Sequence, residues 1–359
     1  MSSPKFTNIG PELLCDIQGH DDFMADITTS LSTGRMHHAW LITGPVGIGK
    51  ASMARLAAAW LLSEKAHSGA LFEMKRPDFE IDAEDAGASM VMRGVHPDFK
   101  ITVPQTKDNK SGQIKIDQIR ELSPFMMHKP ARGGWRVAII DSMDDVNLNS
   151  ANALLKLLEE PPEQAVLFLI ASHIGHLPPT IRSRCRLVRM TRLTPDACML
   201  ALGRIWPNAD TNQLEILSKL SQGAPGQAVK LADSGAADLY QEACNLLQSS
   251  PLNRSALANI CAKWGRGAAA GREIRAGAIF CIDRLLRQSA LQASEIKAVE
   301  LCSFEIPVIE RLAGCHSAEQ LARFHNEFVT KAVKAERLFL DFARFLERYL
   351  SKIYEKSLP

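Results

Sequence analysis

The residues best suited to chemistry in this sequence lie in the segment 44–51, GPVGIGKA. It contains the pattern G-x-x-x-x-G-K between an apolar run, Ala39–Ile42, that predicts a strand and an Ala- and Leu-rich run, 50–62, that predicts a helix. In this context the glycines let backbone N–H groups turn toward a phosphate, and the helix N-terminus adds partial positive charge. The alternative is a glycine-rich turn that binds nothing. The predicted nucleotide-binding residues of this loop are Gly44, Gly47, Gly49 and Lys50.

Two positions that ATP hydrolysis needs carry unsuitable residues. A working phosphate loop has Ser or Thr after the lysine to hold Mg²⁺, whereas this chain has Ala51, and Ser52 lies about 100° further round the helix. A second apolar run, Val137–Ile140, ends at Asp141, which suits the metal shell, but Ser142 stands where a Glu would orient the attacking water. We expect no hydrolysis by the isolated chain. Weak, vestigial binding of ATP or phosphate at the loop and Asp141 stays open.

The order of apolar runs predicts an α/β fold in the first half of the chain. Runs that favour buried strands alternate with runs that carry apolar residues at helical spacing, which is typical of a parallel sheet covered by helices on both faces. Pro161 and Pro162 should end the last of these helices, and from about residue 191 helical patterns dominate. The predicted strands are Ala39–Ile42, Asp98–Thr102, Val137–Ile140 and Val166–Ile170, and the predicted helices are 50–62, 116–126 and 150–160.

The composition excludes several classes of protein. The chain has 359 residues, 46% of them hydrophobic, which favours two or three globular domains over a disordered chain. The 42 Lys and Arg against 40 Asp and Glu give a formal charge of +2, too small for a global field that recruits nucleic acid or membrane. The N-terminus lacks the pattern of a secretory leader, and apolar runs such as 165–171 are shorter than the ~20 residues of a spanning helix. We expect a soluble, cytoplasmic protein with no membrane partner.

The cysteines and histidines indicate no metal site. None of the 8 cysteines forms a C-x-x-C pair and no histidines lie at zinc-finger spacing, so we expect reduced thiols and no structural zinc. His173 and His176 lie at a spacing that reaches one metal ion only if their segment is helical. That segment, HIGHLPP, instead predicts a loop. The sequence therefore predicts no metal ligands.

An arginine-rich segment, PPTIRSRCRLVR, follows the strand predicted at Val166–Ile170. Taken alone, such a cluster indicates a solvated basic surface. Together with a series of ordered motifs, it makes the chain, over roughly residues 18–230, resemble the clamp-loader branch of the AAA+ ATPases. The motifs are HHAWLITGPVGIGK, HPDF, IKIDQIREL, VAIIDSMDDVNLNSANALLKLLEEPP, PPTIRSRC and GAPGQAVKLA, and the arginines are Arg182, Arg184, Arg186 and Arg189.

The resemblance implies a subunit of a pentameric ring that uses ATP to open a sliding clamp and load it onto primed DNA. It implies three domains: an AAA+ α/β domain at 1–190, a small helical lid at 191–237 and a helical collar for oligomerisation at 238–359. The arginine of the family's Ser-Arg-Cys motif, here Arg184, would reach the ATP of a neighbouring ATPase subunit as an arginine finger. Such a finger contributes about 10³–10⁵ in rate.

The chain would then be a non-hydrolysing stator of the DNA polymerase III holoenzyme that requires no cofactor of its own. The partners that the resemblance implies are a gamma/tau-type ATPase and a delta-type subunit, with the sliding clamp and primed DNA reached through the complex. Two alternatives stay open. One is an ATP-hydrolysing motor subunit of the same loader, and the other is a stand-alone DNA-processing AAA+ ATPase.

Two departures from the family pattern bear on function. Many relatives carry a four-cysteine zinc module where this chain has a segment, 63–97, that predicts an irregular insertion, and no cysteine lies between Cys15 and Cys185. Zinc is therefore not expected here. In hydrolysing relatives a sensor arginine follows a Gly-Ser-x motif, whereas here the segment 223–226, GAPG, leads to Gln227. This is a third lost nucleotide contact.

Overall fold

One parallel sheet forms the centre of the first part of the chain. The computed structural model describes residues 19–63, 85–104, 113–265, 271–296, 300–338 and 340–355. Contacts divide these residues into two compact units, 19–207 and 208–355. The sheet lies in the first unit and has the strand order β2-β3-β4-β1-β5, with every neighbouring pair parallel. Its strands are β1 Ala39–Thr43, β2 Phe99–Thr102, β3 Arg136–Asp141, β4 Ala165–Ala171 and β5 Arg186–Arg189.

Helices cover both faces of this sheet. Because alternate strand residues point to opposite faces, Leu41 and Leu169 lie in one core with residues of α4 and α5. On the opposite face, Phe23 of α1 meets Trp40 and Phe168 edge-on at ring-centroid distances of 6.0 and 6.2 Å. The helices of this unit are α1 Asp21–Ser32, α2 Lys50–Leu61, α3 Ala86–Met92, α4 Ile116–Met127, α5 Leu148–Glu159, α6 Pro179–Arg182 and α7 Pro195–Ile205.

The parallel sheet brings the residues predicted to bind a nucleotide to its carboxyl edge. The carboxyl ends of parallel strands share an edge of the sheet, and ligands of open α/β sheets bind there. The glycine-rich loop follows β1, Asp141 ends β3, and Ser172 follows β4. Strands β1 and β3 both pair with β4, so the three ends are neighbours.

The predicted α/β fold with a parallel sheet is confirmed, and each of the four predicted strands is present to within one residue at each end. The prediction that 63–97 is irregular is wrong for Ala86–Met92. That segment is a helix, and the Asp85 carboxylate caps it by accepting from the Ala88 N–H at 2.8 Å. Residues 64–84 lie outside the described part of the chain. Strand β5 was not predicted because it is a half-exposed edge strand with arginines at both ends, not an apolar run.

All regular secondary structure in the described residues of the second unit is helical. The unit boundary at 207/208 places α7 with the sheet, while the division into domains at 190 and 237 stays a prediction. No helix in the described ranges is long and apolar enough to cross a membrane. The helices of this unit are α8 Thr211–Ser221, α9 Pro225–Asp233, α10 Ala236–Gln248, α11 Arg254–Trp264, α12 Gly271–Ala293, α13 Ile306–Cys315, α14 Ala318–Arg337 and α15 Phe342–Glu355.

A buried ion pair joins the helices of this unit. Arg284 on α12 and Glu305, just before α13, are both fully buried, and the guanidinium Nε lies 2.8 Å from Glu305 Oε1. The Glu305 carboxylate also accepts from the Tyr240 hydroxyl at 2.8 Å and from the Cys302 N–H at 2.8 Å. Each carboxylate oxygen therefore has more than one donor. Removing one partner of such a pair leaves an uncompensated charge in the core.

We predict that Glu305→Gln lowers the free energy of unfolding by about 3–5 kcal/mol, because it leaves the Arg284 charge buried without a counter-charge. Tyr240→Phe is the matched control. It removes one hydrogen bond to the same carboxylate but keeps the ion pair, and should cost about 1 kcal/mol. Urea denaturation followed by circular dichroism measures both values, and equal losses in the two variants would contradict the role given to the charge pair.

Candidate functional site

The loop between β1 and α2 has the backbone of a phosphate-binding loop. Gly44, Gly47 and Gly49 have φ angles of 152°, 83° and 98°, a region that favours glycine. At Gly44 a side chain is also excluded by space, because a Cβ atom there would lie 2.3 Å from the carbonyl oxygen of Met190. Gly49 stands directly before the first residue of α2, Lys50. The four predicted loop residues thus lie together at the carboxyl edge of the sheet.

The ammonium group of Lys50 is fully engaged inside the protein. Its Nζ donates to the carbonyl oxygens of Gly44 and Pro45 at 2.6 and 2.7 Å and to the Ser172 hydroxyl at 3.2 Å. An ammonium has three hydrogens, so each has an acceptor. The residue is only 6% exposed, and burial lowers the pKa of Lys50 although nearby carboxylates oppose the shift. A phosphate would have to displace at least one of these contacts.

Asp141 ends β3 beside the same loop, as the sequence predicts for a residue of the metal shell. Burial raises the pKa of Asp141, and the positive charges of Lys50 and Arg55 only partly offset this effect. Ionisation of Asp141 is thus less favourable here than it is in water. Ala51, the first residue after the lysine, offers no oxygen that would join Asp141 in holding Mg²⁺.

A second carboxylate, Asp144, joins the ends of β3 and β4. It accepts from the backbone N–H groups of Ser172 at 2.5 Å and His173 at 2.9 Å. Burial alone would raise the pKa of Asp144, but these two N–H groups and the Ser142 hydroxyl together hold it below its usual value. Sequence reasoning missed this residue because it tested only the two positions directly after the strand.

Ser142 is engaged by Asp144. Its hydroxyl donates to Asp144 Oδ2 at 2.9 Å and accepts from the Asp144 N–H at 3.1 Å. A neutral hydroxyl is a poor general base at pH 7, and this one already has a donor and an acceptor. Ser172, which follows β4, links Lys50 to Asp144. It accepts from Lys50 through its hydroxyl and donates to Asp144 through its N–H.

The predicted arginine finger, Arg184, does not contact the residues around Lys50 and Asp144 described above. It follows the short helix α6, and its guanidinium lies 2.8 Å from Glu159 Oε1, at the end of α5. It also donates to the Thr180 carbonyl oxygen at 3.0 Å. The side chain is 36% exposed and that of Glu159 is 49% exposed. Glu159 is a partner that the sequence analysis did not identify.

The four arginines of the segment 182–189 do not share one environment. Arg186 lies over the Trp40 ring, 4.7 Å from its centroid, and pairs with Asp26 at 2.9 Å. It therefore stabilises the packing of α1 on the sheet, and it is not a free basic surface residue. Arg182 and Arg189 are exposed. Gln227, at the position of the lost sensor arginine, lies in α9 of the second unit.

We predict opposite stability changes for the two carboxylates at the strand ends. Because the pKa of Asp141 is raised on folding, its charge destabilises the folded chain. Asp141→Asn should therefore raise the free energy of unfolding at about pH 7.5. Because the pKa of Asp144 is lowered, Asp144→Asn should reduce it. The difference for Asp141→Asn should shrink as the pH falls toward 3.8, the ordinary pKa of Asp, whereas the difference for Asp144→Asn should persist down to about this pH and disappear below it. Urea titrations at a series of pH values measure them, and changes of the same sign would contradict this account.

Comparison with known proteins finds a family match over the part of the chain that contains this site. Residues 19–194 match the family model described as DNA polymerase III, delta subunit. The DNA polymerase III subunit delta' of Pseudomonas aeruginosa is 35% identical over 199 residues, which are 55% of this chain and 56% of that protein. The subunit tau of Escherichia coli is 29% identical over 231 residues, which are 63% of this chain and 33% of that protein. The chain thus matches little more than half of the delta' relative and a third of the tau relative.

Among solved structures, a Thermotoga maritima protein described as DNA polymerase III, gamma subunit-related aligns with 94% of this chain and 99% of its own. Its identity is 17% and its TM-score is 0.43, a distant likeness only. The family match includes the phosphate loop, the ends of β3 and β4, and the Ser-Arg-Cys segment. Over residues 19–194, the chain is therefore similar to the family of DNA polymerase III delta subunits.

Proposed function

We propose that this chain is a non-hydrolysing, delta-prime-type subunit of a DNA polymerase III clamp loader. It acts as a stator in the ring, supplies Arg184 to the ATP of a neighbouring gamma/tau-type subunit, and thereby supports the loading of a sliding clamp onto primed DNA. The observation that carries this proposal is the contrast between two cations. Lys50 is buried with an acceptor for each ammonium hydrogen, whereas Arg184 lies partly exposed on a surface segment.

Three features of the phosphate-loop site support the absence of hydrolysis in the chain's own site. Ala51 supplies no hydroxyl to a metal, and the Ser142 hydroxyl is hydrogen-bonded to Asp144. Burial raises the pKa of Asp141, so ionising the carboxylate that would bind Mg²⁺ costs more free energy than it does in water. A loop of this kind can still hold a phosphate weakly through its N–H groups if Lys50 is released from its carbonyl contacts.

The environment of Arg184 supports a role in trans. Its ion pair with Glu159 is exposed to water, and such pairs contribute about 0–1 kcal/mol. Replacing Glu159 by a phosphate as the partner of Arg184 therefore costs little free energy. A guanidinium presents donors in a fixed fork that matches phosphate oxygens, and it stabilises the charge that spreads over a transferring phosphoryl group. We also propose that the helical second unit supplies the collar contacts to a delta-type and a gamma/tau-type subunit.

We predict that Arg184→Ala lowers MgATP turnover and clamp loading by the assembled complex. The expected loss of turnover is about 10³-fold or more at the site where the finger acts. The chain should fold and assemble normally, because the lost ion pair is exposed. Arg182→Ala is the matched control, since Arg182 is an exposed arginine two residues away. Turnover is measured after mixing the chain with its gamma/tau-type and delta-type partners. Unchanged loading by Arg184→Ala would contradict the finger role.

We predict that Lys50→Ala has little effect on turnover by the complex but lowers the free energy of unfolding by about 1–3 kcal/mol. The physical reason is that the carbonyl oxygens of Gly44 and Pro45 lose their donor. Turnover by the chain alone, with Mg²⁺ and ATP, is the companion measurement. Turnover by the isolated chain that Lys50→Ala abolishes would replace the stator with the motor subunit.

A further inference from the structure

We propose that Asp144, His173 and His176 bind a divalent transition-metal ion. The sequence predicts no metal ligands here, because the two histidines reach one ion only within a helical turn. The structure supplies that turn: residues Ile174–His176 form a 3₁₀ helix that His173 precedes, and the His176 N–H donates to the His173 carbonyl oxygen at 3.0 Å. Side chains three residues apart in a 3₁₀ turn eclipse each other. The two rings accordingly lie side by side, with centroids 5.2 Å apart.

The third ligand is a carboxylate that the backbone already orients. The N–H groups of Ser172 and His173 hold Asp144, and its Oδ1 lies 3.6 Å from His173 Nδ1. Two ligand atoms on a tetrahedral zinc ion, each about 2.1 Å from it, are about 3.4 Å apart. The ligand atoms of the three residues lie within 4.8 Å of one another. Rotation of the two exposed imidazole rings is therefore enough to bring all three onto one ion.

The ligand types select the class of metal. Imidazole nitrogens suit Zn²⁺, Cu²⁺ and Ni²⁺, whereas Mg²⁺ and Ca²⁺ prefer oxygen ligands alone. Both histidines are exposed, so water can complete the coordination shell. The hydrogen bonds that hold Asp144 are the outer contacts that normally fix a metal-ligating carboxylate. This site is distinct from the Mg²⁺ position expected at Asp141, and it requires no nucleotide.

Occupancy would connect the turn at Ile174–His176 to the end of β3, in addition to the hydrogen bonds from the Ser172 and His173 N–H groups to Asp144. The turn at Ile174–His176 begins the segment that continues through α6 to Arg184. A metal bound by both rings and the carboxylate would fix this turn to the end of β3. The metal thus adds a constraint at the start of the segment that carries the arginine.

The test is Zn²⁺ binding to the full-length chain by titration calorimetry without chelators. Visible absorption of the Co²⁺-loaded chain provides a second readout. All variants carry Cys315→Ser, because Cys315 is the exposed thiol among the described cysteines. We expect one Zn²⁺ per chain, with affinity at least about tenfold weaker in His176→Ala, since changes at outer-shell partners alone cost about 10–100-fold. The ring of His176 stacks on that of His173, and its removal leaves the hydrogen bonds of Asp144 in place.

The matched control is His37→Ala. His37 and His38 also have stacked rings, 4.5 Å between centroids, but among the described residues they form no metal-ligand group with a carboxylate. His37→Ala should bind Zn²⁺ as the unmodified chain does, and Asp144→Asn should bind it as weakly as His176→Ala. The proposal is overturned if the unmodified chain binds no Zn²⁺, if His176→Ala retains full affinity, or if His37→Ala weakens binding as much as His176→Ala.

Discussion

The carboxylate of Asp144 is the constraint on which the edge of the sheet depends. It accepts two consecutive backbone N–H groups, those of Ser172 and His173, and so determines where the chain goes after β4. Ser172 is thereby placed with its hydroxyl toward Lys50, and His173 begins the turn that leads to α6. Buried or half-buried N–H groups need acceptors, and a carboxylate that receives several is stabilised in its charged form. One side chain thus sets both the electrostatics of the phosphate loop and the course of the segment that carries the arginine.

The phosphate loop makes hydrogen bonds within itself. The carbonyl oxygens of Gly44 and Pro45 each accept a hydrogen bond from the Lys50 ammonium. A lysine at this position therefore satisfies the loop's own backbone. The glycines are required for a related reason, since at Gly44 the backbone of Met190 leaves no room for a side chain. The motif G-x-x-x-x-G-K is thus explained by folding as well as by phosphate binding.

The strands and the phosphate loop could be predicted because each depends on a short, local pattern. The apolar runs that become β1, β3 and β4 are buried on both faces, and the glycine spacing specifies the loop. The partners of the polar side chains could not be predicted in the same way. Asp144 meets Ser172 and His173, and Arg184 meets Glu159, only because the sheet and α5 bring distant segments together. Strand β5 escaped prediction because half of its residues face solvent and its ends are arginines.

Lys50 and Arg184 differ in how freely each can exchange its present partners for a phosphate. This difference supports the proposed action of Arg184 in trans. Redirecting Lys50 to a phosphate breaks its contacts with partly buried backbone oxygens, so the gain from binding is reduced by the loss of those contacts. Redirecting Arg184 gives up an ion pair with Glu159 that water already screens. A guanidinium held loosely at the surface can meet a phosphate on another molecule, whereas an ammonium saturated inside its own loop cannot do so without a local rearrangement. Arg184 is therefore more available to a new partner than Lys50 is, as the proposed finger role requires.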